Sequence, residues 1–341
     1  MTYKINKRGL SSFLMNRYEN LGTRGIYKVH LREFFNLIYP ELNDLYSHVS
    51  DEKSKENYEN KLDDYSLLYV TKDRNYLPDL EKFKESIAHH APRTRATKLA
   101  PIFKFLEING HTVPKSIKEG LLPKNKEPIS EEKVPDVDEI RLIMEHLTLP
   151  DKALVYFLVA SGMRIGEALL VKIDMIDFDH QPTIINLPAS IVKGVKKRRF
   201  TFLTEEATDI LKTWLEYRTE YGINASKIHR GYTFDPIRDK RIFPFATSTF
   251  NYKWKLACEK AGLAMEDPVT GRRLLTPHKL RKFFRTRGNW INPDVPEALM
   301  GRSSKFKATY DEMMEKKDII VEEYLRVETN LSINAFTHHT E

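Results

Sequence analysis

One cysteine, Cys258, is all that the chain's 341 residues contain. An internal disulfide and a zinc site built from several thiolates are thereby excluded, and a reducing compartment is expected. No uninterrupted apolar run approaches the roughly 20 residues needed to cross a bilayer, and neither a signal peptide nor a lipidation motif is present. A soluble cytoplasmic protein without a membrane partner is the expectation. Also missing are a Walker A loop, a His-Glu-x-x-His pair and a glycine-rich dinucleotide fingerprint. The chemistry is therefore expected to need no nucleotide, no tightly held metal and no other cofactor. Nor does either charge dominate: 55 Lys+Arg stand against 48 Asp+Glu, a net +7 with an isoelectric point near 9.1. An excess this small permits a polyanionic partner and says no more until its location is known.

What is present is mostly helical pattern, in a chain long enough for two domains with separate cores. Residues 11–18 resemble a short helix, and Tyr27, Leu31, Phe34, Phe35 and Ile38 predict another over 27–39, stopped by Pro40. Residues 50–73 are highly charged, with diluted periodicity. Helices are expected again over 80–89 and 95–108, with Arg93, Arg95, Lys98 and Lys104 among them. The stretch LLPKNKEPISEEKVP, residues 121–135, combines three prolines with mixed charge and reads as a solvated linker. It separates a helical domain, 1–120, from a second domain, 136–331, with a mostly polar tail over 332–341.

In the second domain, 138–147 is amphipathic and 153–160 is apolar nearly all round, a buried helix ending near Ser161-Gly162. The turn delivers Arg164 to the start of the next helix, with Glu167 one turn on. The period then changes: 183–187, 190–193 and 199–203 are rich in β-branched or aromatic residues and predict a short antiparallel sheet. Helices are expected over 205–221, 247–261 and 318–331, whereas 222–244 has no clear pattern. The fold class is thus mainly α with a small antiparallel β-sheet.

The chemistry gathers late in the chain. In Thr276-Pro277-His278-Lys279-Leu280-Arg281, Thr276 can cap a helix, Pro277 suits its first position, and His278 and Arg281 fall three apart on one face. Leu299-Met300-Gly301-Arg302-Ser303-Ser304 reads as a turn carrying two hydroxyls and leads to Tyr310. A proton carrier, guanidiniums and a phenol suit work on a phosphodiester. Between Lys193 and Arg199 five of seven residues are basic, namely Lys193, Lys196, Lys197, Arg198 and Arg199. Beside such chemistry, this reads as a strand turn pressed into a nucleic-acid groove.

Arg164-x-x-Glu167, a basic hairpin, His278-x-x-Arg281, the Gly301-x-Ser303-Ser304 turn and a following tyrosine, taken in that order, resemble the tyrosine recombinase (phage-type integrase) family over roughly 134–331. The resemblance implies a helical core-binding domain before the catalytic one, with Arg93 and Arg95 among the cations facing DNA. It implies strand cleavage by a tyrosine, with Tyr310 as nucleophile at about the family's interval and Tyr324, on an apolar stripe, as the competitor. It implies Arg164 and Arg281 on the phosphate, Lys193 as general acid with Lys196 as fallback, His278 assisting, and Glu167 holding the site together. Arg302 is a departure, because the family usually has His or Trp there, and an arginine cannot exchange a proton near neutral pH.

The function so implied is site-specific recombination of double-stranded DNA by a nucleoid-associated protein. A type IB topoisomerase, or a DNA-binding protein of the same fold with impaired catalysis, is the alternative. Because recombination cuts and rejoins four strands, a homo-tetramer assembled on DNA from monomers is expected. The apolar stripe of 318–331 must be covered by its own domain or a neighbour's, and the family's habit of exchanging C-terminal segments favours the neighbour.

Overall fold

A computed structural model describes residues 7–72, 74–124, 133–192, 198–228, 233–302 and 310–334, with Arg17 and residues 310–312 as backbone only. The chain divides into two compact units, Met1–Ile129 and Ser130–Glu341.

The first unit is helical: α1 Leu10–Arg17, α2 Leu21–Ile38, α3 Pro40–Ser47, α4 Glu52–Thr71, α5 Leu77–Ser86, α6 Pro92–Ile108 and α7 Lys115–Leu121. Its core is aromatic. Phe34 meets Phe83 edge-on at 5.4 Å between ring centroids, and Phe35 meets Phe105 at 5.6 Å, geometry that favours the ring quadrupoles. Two helices differ from the sequence-based expectation. α2 starts before residue 27 because the Asn20 side chain accepts from the Thr23 N–H at 3.0 Å, capping the helix there. The charged stretch 50–73 is largely one helix, α4, opened by a capping box between Asp51 and Ser54. Its stripe was diluted to the eye because Tyr58, Ser66 and Tyr69 occupy buried positions alongside Leu62 and Val70.

The second unit begins with α8 Val137–Glu145, α9 Leu149–Ser161 and the one-turn α10 Ile165–Ala168. Strands β1 Ile176–Asp177, β2 Ile184–Leu187 and β3 Arg199–Phe202 follow, then α11 Glu205–Ile228, α12 Thr247–Lys260, α13 His278–Arg287, α14 Asp294–Met300, α15 Tyr310–Glu315 and α16 Lys317–Leu331. α9 is the central pillar. Every residue from Ala153 to Ser161 is buried, in a cluster with Ile140 and Ile143 of α8, Leu211 and Trp214 of α11, and Leu280 and Phe283 of α13.

The sheet is antiparallel in the order β1-β2-β3, with Ile176 opposite Ile185 and Leu187 opposite Arg199. The strand expected over 190–193 is not formed by its described residues. Ile191 N–H donates to Pro188 O at 3.2 Å, which turns the chain away from the ladder; the third strand comes instead from Ile176–Asp177 upstream.

The expected exchange of the last helix is also corrected. Ile320, Tyr324, Val327 and Leu331 of α16 are buried within their own unit, in one cluster with Phe200, Phe202 and Phe284. A stripe satisfied in this way needs no neighbour. Beyond α16 the chain is latched down: Glu206 accepts from the Ser332 hydroxyl at 2.8 Å, the Ile333 N–H at 2.8 Å and the Asn334 N–H at 2.7 Å. Arg141 Nε donates to Ile333 O at 2.7 Å, and the Ile333 side chain is fully buried in the core around α9.

Candidate active site

α9 stops at Gly162, whose φ of 61° lies in the left-handed region. Glycine takes this conformation without strain, and a Cβ there would lie 2.4 Å from the Phe284 ring. The turn sets Arg164 as the residue before α10, and one turn on Glu167 accepts from Arg164 Nη1 through Oε1 at 2.9 Å. Glu167 is 2% exposed, so a carboxylate so deep must be paired to stay ionised. Its other oxygen, Oε2, accepts from Arg199 Nη2 at 2.6 Å.

Arg199 corrects the sequence reading. Instead of pointing from a hairpin tip towards phosphates, it opens β3 at 3% exposure and spends its guanidinium inside the protein. Burial lowers its pKa from the ordinary value, the ion pair with Glu167 opposes this, and Arg164 adds to it. Arg198 beside it is exposed. Lys193, Lys196, Lys197, Ser303 and Ser304 lie outside the described residues.

The other arm of the site is α13. It starts one residue later than expected, at His278: Thr276 makes no side-chain cap, and its backbone oxygen accepts from Lys279 N–H at 2.8 Å. Arg281 is 2% exposed. Its Nη1 donates to Gly162 O at 2.6 Å and its Nη2 to Met300 O at 2.8 Å, while its buried Nε has no partner. Burial first, then the charges of Arg164, Arg199 and Arg302, lower its pKa to about 9, so it remains a cation at neutral pH.

His278 is exposed on the same helix. Partial desolvation, then Arg281, Arg302, Arg164 and Lys279, lower its pKa below the ordinary histidine value. Its ring is therefore neutral near pH 7, which fits a proton acceptor. Arg302 follows Gly301, whose φ is 66°; its Nη1 stands 3.8 Å from Glu297 Oε1, and its side chain is 39% exposed. Arg164, Glu167, His278, Arg281 and Arg302, spread over nearly 140 residues, are thus gathered by the ends of α9, α13 and α14. The assembly carries more positive than negative charge, with guanidiniums partly open to solvent, and is suited to an oxyanion with two or three acceptor oxygens.

The two candidate tyrosines differ. Tyr310 is the first residue of α15, a helix held by the buried Met313, and its side chain lies outside the described residues. Tyr324 is fully buried, its hydroxyl donates to Ala160 O at 2.9 Å, and burial, then Glu328, raises its pKa well above the usual phenol range. Such a group is a packing residue. In the first unit, Arg93 is exposed at the start of α6, and Arg95 is half-buried with its Nε unpartnered. Among the described residues no group of three or more His, Cys, Asp or Glu side chains could hold a metal ion, and no helix is long and apolar enough to cross a membrane.

Residues 133–297 match the sequence profile of the phage integrase family. This domain is a phage integrase domain. The chain's fold is similar to XerH site-specific recombinase bound to palindromic difH substrate in a post-cleavage complex, with 14% identity over 95% of this chain and 96% of that one and a TM-score of 0.50. It is also similar to the Tn1549 transposon integrase in complex with circular intermediate DNA (13% identity, 85% and 99% covered, TM-score 0.49) and to XerA recombinase (22%, 88% and 96%, TM-score 0.38). At 14% identity the XerH likeness speaks for the fold alone. The matched stretch ends before Arg302 and Tyr310, so those two rest on their own chemistry and position.

Sequence reasoning missed Arg199's place beside Glu167. The signal was present: Arg199 heads the run Arg199-Phe200-Thr201-Phe202, which is buried at every position, and an arginine entering such a strand needs an internal carboxylate.

Proposed function

We propose that the chain is a site-specific tyrosine recombinase, which cleaves and rejoins DNA strands through a covalent 3′-phosphotyrosyl intermediate, with Tyr310 as the nucleophile and Arg164 and Arg281 holding the scissile phosphate. The supporting observation is that two arginines distant in sequence share one small volume: Arg281 donates to Gly162 O at 2.6 Å, two residues before Arg164. The phenolic oxygen forms a bond to phosphorus as the bond to the 5′ oxygen breaks. Charge that builds on the non-bridging oxygens meets fixed guanidiniums, and removal of such a donor costs on the order of 10²-fold in rate. Lys193 protonates the departing 5′ oxygen, and neutral His278 accepts the tyrosine's proton or donates to the phosphate. Glu167 is too close to the arginines to serve as a base and instead keeps Arg164 in place. Arg302 acts as a third cation on the phosphate.

One ester replaces another, so the bond energy is retained and a different 5′ hydroxyl can reverse the step without a nucleotide or metal. The exposure of Arg198 and Arg93 supports the remaining roles. Arg198, Lys196 and Lys197 contact backbone phosphates, and Arg93 and Arg95 of the first unit do the same as part of a DNA clamp. Each site cuts one strand and an exchange needs four cuts, which supports a tetramer assembled on DNA from monomers in solution, acting at the nucleoid.

Covalent trapping on nicked suicide duplexes tests the reading. An SDS-resistant adduct restricted to particular sites, and lost in Tyr310→Phe, is expected. Relaxation of any supercoiled plasmid would point to a topoisomerase, and DNA binding with no adduct to a non-catalytic DNA-binding protein.

A further inference from the structure

α14 ends in a Schellman motif: Arg302 N–H donates to Glu297 O and Gly301 N–H to Ala298 O, both at 2.9 Å. Two of the four orphan carbonyls of a helix C-terminus are thereby satisfied. The remaining pair, Leu299 O and Met300 O, are taken by two buried guanidiniums, Arg199 Nη1 on the first and Arg281 Nη2 on the second. Arg199 also lies flat against Gly301, where a Cβ would come within 2.8 Å of its Cδ and Nε. The same guanidinium holds Glu167 Oε2 at 2.6 Å, while Glu167 Oε1 holds Arg164 at 2.9 Å.

We propose that Arg199 is a positioning residue for strand cleavage, coupling Arg164, through Glu167, to the Gly301–Arg302 turn through Leu299 O. It touches no DNA. At 3% exposure it lies behind the phosphate-facing groups, and its one guanidinium reaches both the Glu167 arm and the Gly301 arm of the site. The planar fork of arginine is what this demands, because one guanidinium can serve a carboxylate and a carbonyl in different directions, whereas an ammonium on a flexible stem offers a single point charge. The positive dipole complement at the end of α14 is a lesser benefit.

The proposal rests on the strand-cleavage reading above, and a single experiment separates the two. Wild type, Arg199→Lys, Arg199→Met, Glu167→Gln and the Arg199→Met/Glu167→Gln double variant are compared on the same suicide duplex. DNA dissociation constants are measured alongside the single-turnover rate of adduct formation in saturated complexes. Dissociation constants within about 3-fold of wild type are expected, with a cleavage rate lower by on the order of 10²-fold for Arg199→Met and partial recovery in Arg199→Lys. Because Arg199 acts through Glu167, the double variant should be slower than wild type by much less than the product of the two single effects. Wild-type cleavage rates in saturated Arg199→Met complexes, or a loss of DNA affinity that accounts for the whole defect, overturn the proposal. Fully multiplicative effects in the double variant overturn it as well. Absence of any adduct with wild type overturns the strand-cleavage reading instead.

Discussion

The hydroxyl of Tyr324 donates to the carbonyl oxygen of Ala160 at 2.9 Å, so α16 is pinned to the last turn of α9, immediately before the turn that carries Arg164. This bond separates the two tyrosines experimentally. Tyr324→Phe removes a buried donor and leaves a carbonyl unpaired, which should cost about 1–3 kcal/mol of stability while leaving adduct formation intact below the melting range. Tyr310→Phe should do the reverse, keeping the melting temperature and DNA binding but giving no SDS-resistant adduct. An adduct that survives Tyr310→Phe and vanishes in Tyr324→Phe would reverse the assignment.

Arg281→Ala should lower cleavage by on the order of 10²-fold or more. It also frees Gly162 O and Met300 O, so Arg281→Lys is the sharper probe: it keeps a charge yet cannot serve both carbonyls and a phosphate. Recovery of less than a tenth of the lost rate in Arg281→Lys is expected by single-turnover assay, and full recovery would mean that charge alone suffices.

Arg302→His should retain or raise cleavage, since it places an ionisable donor where a guanidinium now stands half-exposed, 3.8 Å from Glu297. Loss of cleavage at unchanged DNA affinity would make the guanidinium a required part of this site.

His278 links the site to pH. Its folded pKa is depressed, by desolvation first and then by Arg281, Arg302, Arg164 and Lys279. The stability it contributes is therefore fully present above the unfolded value of about 6.5 and is lost as pH falls through the lower folded value. A bound phosphate opposes those guanidiniums and favours the imidazolium, so DNA affinity should rise over the same fall in pH. His30 and His90 of the first unit are also depressed, so the informative quantity is the difference between wild type and His278→Gln. Equal pH slopes of melting and of DNA dissociation constant in the two proteins would remove His278 from this role.

Gly301→Ala adds a Cβ at a φ of 66°, within 2.8 Å of Arg199. The left-handed conformation alone costs about 1–2 kcal/mol for an L-residue, and the contact also shifts Arg199. A melting temperature lower than wild type should accompany slower cleavage in saturated complexes. Wild-type behaviour in both assays would mean that the turn relaxes freely.

Most of this architecture was legible because its signals are local. Ile140, Ile143, Met144 and Leu147 announce α8, and the apolar run of 153–160 announces a pillar that must be buried on all sides. The order of Arg164, Glu167, His278, Arg281 and the Gly301 turn was likewise readable, since each sits at a helix end or turn with its own punctuation. What escaped was non-local. Whether Arg199 faces solvent or Glu167 depends on the approach of two segments 32 residues apart, and no periodicity encodes that distance. The same holds for α16, whose stripe states that it must be covered and not by which surface. α4 escaped for another reason, since buried tyrosine and serine blur an apolar stripe when sequence is all there is.

The latch over 332–334 has a mechanical consequence. A pull on the C-terminus of the second unit would first load three bonds that converge on one carboxylate, Glu206, and the Arg141 bond to Ile333 O. Only after these gave way, and Ile333 left its socket, would tension reach α16 and through it the segment that begins at Tyr310. The latch therefore acts as a strain relief between whatever is attached beyond Asn334 and the helix that begins at Tyr310, much as a clamp isolates a cable's connector from a tug on its free end.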